Sequence, residues 1–149
     1  MCAPIRCSSA GGRWAHRGSP LTAAARRGSV GAAAGTAVNV TGDLTVAGNG
    51  DITQTGALDV GGTTGVTSTN GSIDLSNAAN TFDGTVTATA GTGAEDDVTV
   101  AATGNLSVDA TAGGNATVSA TGDVTAQVDV GGDAGVTSTS GNVSLGESS

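Results

Sequence analysis

Asp59 to Leu75 reads DVGGTTGVTSTNGSIDL, and Asp129 to Leu145 reads DVGGDAGVTSTSGNVSL. The two segments carry the same residue at most of their paired positions. Each runs from glycine through alternating apolar and hydroxyl residues to a second glycine and a second alternating run. Successive strand residues point to opposite faces, so the phrase predicts strand, turn and strand with no helix between. Internal duplication of this kind points to a repeat architecture.

The same alternation runs through the chain. Apolar pairs spaced by two occur at Val38/Val40, Leu44/Val46, Leu58/Val60, Ile73/Leu75, Val86/Ala88, Val98/Val100, Leu106/Val108, Ala116/Val118 and Val143/Leu145, and Val124 to Val130 alternates over a longer run. Thr, Ser, Asp and Asn fill the positions between and are expected to face water. Gly42-Asp43, Gly50-Asp51, Gly104-Asn105, Gly122-Asp123 and Gly141-Asn142 introduce strands. Glycine tolerates positive φ and Asx side chains bond their own backbone, so these pairs are expected at corners.

Strand starts at Leu44, Val66, Val86, Leu106, Val124 and Val143 follow one another at nearly even intervals. Coils of about 20 residues, stacked on one another, make a parallel β-solenoid. The fold class is therefore all-β, a parallel β-helix, with residues 36–149 forming about five coils that rise about 25 Å at one strand spacing each. The offset of the duplication, from Asp59 to Asp129, is not a whole number of such coils. Either coil lengths vary or the two copies lie on different faces. A hairpin-linked sandwich also suits short strands, but it needs aromatic core residues, and only Phe82 is available after residue 35.

Leu, Ile, Val and Phe together make up under a fifth of the chain at a net charge of −8, a composition close to that of disordered chains. Their placement at period two is what favours order. All five arginines precede Gly28, lysine is absent, and all thirteen acidic residues lie between Asp43 and Glu147. Residues 1–35, which hold both cysteines, both prolines, the Trp and the His, are expected to be a basic, disordered tail, with residues 36–149 as the repeat region. The tail has no apolar run of signal-peptide type, and the chain has no stretch long enough for a membrane span. A charge of −13 over the repeat region argues against nucleic acid and anionic lipid as partners.

Catalytic chemistry is not expected, and no catalytic, cofactor-binding or metal site residues are assigned. His16 is the sole histidine and stands in the tail. Acidic pairs that could serve glycoside hydrolysis lack the aromatic and cationic neighbours such sites recruit. Cys2 and Cys7 do not match a zinc spacing. Gly48-Asn49-Gly50-Asp51 and Glu95-Asp96-Asp97 read as solvated corners, and the sequons at Asn39, Asn105, Asn115 and Asn142 arise wherever a corner Asn precedes an apolar-in, hydroxyl-out strand. Thr85-x-Thr87-x-Thr89, Thr67-x-Thr69 and Thr137-x-Thr139 place threonines on one strand face, as ice-binding solenoids do, although several coils carry Asp or Ser there instead.

Gly50-Asp51-Ile52-Thr53-Gln54-Thr55-Gly56-Ala57-Leu58 and Asn77-Ala78-Ala79-Asn80-Thr81-Phe82-Asp83-Gly84-Thr85-Val86 resemble the phrases at strand–corner–strand junctions of filamentous-haemagglutinin-like exoproteins of the two-partner secretion type. The resemblance spans roughly residues 36–149. It implies a right-handed parallel β-helix shaft from a large secreted or cell-surface bacterial adhesin. The chain has no Asn-Pro-Asn secretion motif and no proline after Pro20, and it is far shorter than such shafts, so a fragment is expected. The expected function is a non-catalytic structural or adhesive shaft, with surface glycans or proteins as partners through distributed contacts and with end-to-end self-association. The alternatives are an ice-binding solenoid using threonine ladders and a polysaccharide-binding β-helix.

Overall fold

The computed structural model describes residues 37–146 and, as backbone strands alone, Trp14–His16, Leu21–Ala25 and Gly28–Val30. The chain winds as a parallel β-solenoid. Its first described coil holds β1 (Trp14–His16), β2 (Leu21–Ala25) and β3 (Gly28–Val30). The second holds β4 (Val38–Val40), β5 (Leu44–Gly48) and β6 (Ile52–Gln54). The third holds β7 (Leu58–Val60), β8 (Thr64–Ser68) and β9 (Ile73–Leu75). The fourth holds β10 (Thr81–Phe82), β11 (Val86–Thr89) and β12 (Val98–Ala102). Only two strands make each later coil: β13 (Leu106–Ala112) and β14 (Ala116–Ala120), then β15 (Val124–Val130) and β16 (Ala134–Ser138), with β17 (Val143–Gly146) beginning another. The disordered tail expected over residues 1–35 falls mostly outside the described residues; the three short strands within it pair in parallel with β4, β5 and β6.

Stacking these coils builds three parallel sheets. Sheet A runs β1-β4-β7-β10, sheet B runs β2-β5-β8-β11-β13-β15-β17, and sheet C runs β3-β6-β9-β12-β14-β16. The solenoid is thus three-sided as far as β10 and two-sided beyond it. The core records that change. Every buried apolar residue of the second and third coils is Val, Leu or Ile, and the largest fully buried ones, Leu44, Ile52, Leu58, Ile73 and Leu75, all lie there. Phe82 ends the sheet A column above Val40 and Val60. Past it, Ala88, Ala110, Ala112, Ala116, Ala120 and Ala126 share the interior with valines. Two facing sheets leave room for small side chains across a narrow gap, whereas the triangular section needs bulk to fill its centre.

Coil length follows the cross-section. Along the sheet B column, the steps from Leu44 to Thr64, Val86 and Val108 are longer than those onward to Ala126 and Leu145. The short steps come after sheet A has ended. The expected starts at Val66, Leu106, Val124 and Val143 therefore have the right inward parity but stand out of register by one inward position. Both explanations of the duplication's offset hold. The first copy passes through sheets A, B and C at β7, β8 and β9; the second passes through B, C and B at β15, β16 and β17. The same GVTS phrase lies on sheet B at Gly65–Ser68 and on sheet C at Gly135–Ser138.

The corners correct one expectation. Among the described residues only Gly104 has a positive φ, +85°. Several other corner glycines answer to close coil stacking: a Cβ on Gly122 would lie 2.3 Å from Asn105 Oδ1, and one on Gly132 would lie 2.4 Å from Asn115 Oδ1. Nor do most corner Asx residues bond their own turn. Each caps the coil above. Asp51 Oδ1 accepts from Ser72 N (3.1 Å), Ser72 Oγ from Asp97 N (2.9 Å), Asp97 Oδ1 from Asn115 N (2.6 Å) and Asn115 Oδ1 from Asp133 N (2.8 Å). A second ladder runs Asn105, Asp123, Asn142 at 2.9 and 2.8 Å. Corner amides that turn away from the strand ladders are satisfied in this way.

Three polar residues are buried within the three-sided part, Thr64, Ser68 and Asn80, and Asn80 is the most fully bonded. Asn80 is fully buried; its Nδ2 donates to the carbonyls of Leu75 (3.1 Å) and Ala101 (3.0 Å), and its Oδ1 accepts from Leu58 N (2.9 Å) and from Gln54 Nε2. It ties three successive coils at the corner entering β10.

Candidate functional site: the hydroxyl face of sheet B

The outward side of sheet B carries the most regular surface chemistry of the described residues. Alternation along β8, β11, β13 and the first half of β15 buries every second residue and turns the others outward. Parallel pairing then stacks the outward residues into columns one strand spacing apart, about 4.8 Å. One column is Thr67, Thr89 and Thr111 in register, followed by Asp129. Another is Thr85, Ser107, Thr125 and Ser144, with Thr85 Oγ1 3.4 Å from Ser107 Oγ. Between them lies Gly65, Thr87, Asp109, Gln127 and Gly146.

Thr85, Thr87 and Thr89 do lie together on this face. The other threonines expected with them do not all join. Thr69 stands beyond β8, where its N–H donates to Gly48 O (3.0 Å), and Thr137 lies on β16 of sheet C. Alternation told inside from outside but could not tell which face of the prism a strand would occupy. The middle column also changes chemistry from Thr87 to Asp109 and Gln127, so the array is hydroxyl-bearing but not uniform.

Five corner carboxylates, Asp43, Asp51, Asp96, Asp97 and Asp123, accept from backbone donors. Asp96 Oδ2 accepts from Gly93 N at 2.8 Å, Asp97 and Asp51 serve the ladder above, and Asp43 Oδ1 accepts from Thr63 N at 2.7 Å. Among the described residues no three His, Cys, Asp or Glu side chains converge as a metal site. Asn105 and Asn115 of the sequons are exposed corner residues whose Oδ1 atoms hold the ladders, and Asn39 donates to Asp59 Oδ2 at 2.6 Å. Cys2, Cys7 and the side chain of His16 lie outside the described residues. No described helix is long and apolar enough to cross a membrane.

A step marks the place where sheet A ends. Above β10 a cavity of about 600 Å³ opens between Thr81–Gly84 and Thr103–Ser107, with Asp123 and Thr125 on its far wall. The alternation gave no sign of this step; it coincides with the alanines that join the valines of the core after Phe82.

No curated protein and no solved structure matches the chain. A family model described as Repeats of unknown function (DUF5649) matches residues 22–89 and 95–149. The unmatched residues between fall in the long corner between β11 and β12, and each match contains one copy of the duplicated phrase. With most of its length matched, and with a solenoid as the shape its repeats adopt, the chain belongs to the family of DUF5649 repeats.

Proposed function

We propose that the chain is a rigid, non-catalytic shaft segment of a large secreted or cell-surface bacterial exoprotein, and that it adheres through many weak contacts. The observation that carries this reading is the repetition of short hydroxyl side chains along sheet B, in coil after coil, on an acidic surface. Such a surface offers a partner many equivalent footholds and no single dominant one. Affinity then comes from multivalency. The likeness of the Gly48–Ala90 phrases to filamentous-haemagglutinin-like repeats supports the same reading.

The test is retention of the chain on arrays of glycans and surface proteins, first free and then clustered on beads. The shaft reading expects weak retention that rises steeply on clustering and survives any one substitution on sheet B. Loss of all retention through a single substitution would sink it in favour of a discrete site. The in-register threonine columns favour ice binding as the second reading. Thermal hysteresis that Thr87→Tyr removes would establish that one instead.

A further inference from the structure

The sequence contains two Asn-Gly pairs, Asn49-Gly50 and Asn70-Gly71, and the fold stacks them one coil apart on the corner between sheets B and C. Both asparagines are exposed. They are joined in one direction only: Asn70 Nδ2 donates to Asn49 Oδ1 at 2.8 Å. Asn-Gly is open to attack by its own backbone, because glycine sets no Cβ in the way of a close approach. In that attack the glycine N–H gives its proton to solvent base, the nitrogen bonds to Asn Cγ, and negative charge gathers on Oδ1. The Cγ–Nδ2 bond then breaks and ammonia leaves. Water opens the five-membered imide at either carbonyl, giving aspartate or its β-linked isomer with no change of oxidation state.

Alike in sequence, the two pairs differ in structure. At Asn49 the charge develops on the very oxygen to which Asn70 Nδ2 donates, and a donor aimed at such an oxygen lowers the barrier. At Asn70 it is the departing nitrogen that is engaged. Gly71 is buried, whereas Gly50 is half-buried. The Gly71–Ser72 peptide is also held from both sides, its carbonyl accepting from Gly91 N (3.2 Å) and its N–H donating to Asp51 Oδ1 (3.1 Å). Swinging Gly71 N toward Asn70 Cγ would strain that hold. We propose that Asn49 is a self-modification site, converting without an enzyme to an aspartyl or isoaspartyl residue, and that Asn70 promotes the reaction and is itself spared. The product adds a negative charge close to Asp51. In the aspartyl form Asn70 then donates to a carboxylate oxygen, which holds it more firmly. The isoaspartyl form lengthens the corner between β5 and β6 by one backbone carbon. This goes beyond the shaft reading and does not depend on adhesion.

Incubation of the full chain in warm, mildly alkaline buffer, followed by peptide mapping with mass spectrometry, tests this. In the folded chain Asn49 should convert about tenfold faster than Asn70, the difference that one hydrogen bond can make to a rate. In concentrated urea the two should convert at similar rates. Asn70→Ala removes the donor and should slow Asn49 in the folded chain by a similar factor, with its rate in urea unchanged. A substitution that merely loosened the corner would speed Asn49 instead. The proposal is overturned if Asn70 converts as fast as Asn49 in the folded chain, or if Asn70→Ala leaves Asn49 as fast or faster. It is equally overturned if the folded chain keeps both asparagines over a time in which urea converts both.

Discussion

Gly122 and Gly65 separate two uses of glycine that look alike in the sequence. A Cβ at Gly122 meets Asn105 Oδ1 at 2.3 Å and the backbone carbon of Gly104 at 2.7 Å, while one at Gly65 meets nothing within 4 Å. Gly122→Ala is expected to cost about 1–3 kcal/mol through the displaced corner. Gly65→Ala should be neutral or stabilise by up to about 1 kcal/mol, because it restricts only the unfolded chain. Urea denaturation of the two variants checks the contrast, and equal losses would refute the close-stacking account. Thr64 offers a further residue-level test. It occupies an inward position between Leu44 and Val86, 1% exposed, and its Oγ1 has no hydrogen-bond partner. Thr64→Val replaces that hydroxyl with a methyl group of similar size and should raise stability by about 1 kcal/mol. A lower denaturation midpoint would show that the hydroxyl is satisfied after all.

At the scale of the element, each strand is fixed by its two neighbours and by the corner that precedes it. The ladder through Asp51, Ser72, Asp97, Asn115 and Asp133 mixes carboxylate, hydroxyl and amide at equivalent places. What the place requires is an acceptor oxygen, not a charge. Asp97→Asn keeps that oxygen and should change stability by less than about 0.5 kcal/mol. Asp97→Ala takes the acceptor from the exposed Asn115 N–H, which water then serves, and should cost about 0.5–1.5 kcal/mol. Comparable losses from both substitutions in chemical denaturation would mean that charge matters after all. Glycine-plus-Asx at the corners was legible from the sequence. Its mechanism was not, since the bond runs to a residue a full coil away that only stacking brings near.

Over the whole molecule, the solenoid behaves as a stack in which each coil touches its neighbours, so whole coils are removable units. Val98 pairs with Ala116 and Val108 with Ala126, the same advance along the chain on both sheets. Deleting residues 98–115 should therefore return β14 to the place of β12 and β15 to that of β13, with a β-type circular dichroism spectrum and a cooperative transition retained. Deleting residues 98–114 instead puts Asn115 at an inward position and reverses every later side chain. That variant should lose its cooperative transition, and comparable stability for the two would contradict the register.

By itself the sequence determined the all-β class, the inward or outward sense of nearly every strand residue, the approximate length of a coil and a surface that is acidic and rich in hydroxyls. All of these follow from alternation and composition, which act residue by residue. Only the tertiary structure decided which sheet each strand joins, that sheet A stops at β10, and that the duplicated GVTS phrase lies on two different sheets. A strand of period two specifies its buried side and nothing more. Its place in the prism depends on the strand already lying beneath it, and hence on how much side-chain volume the coil must enclose.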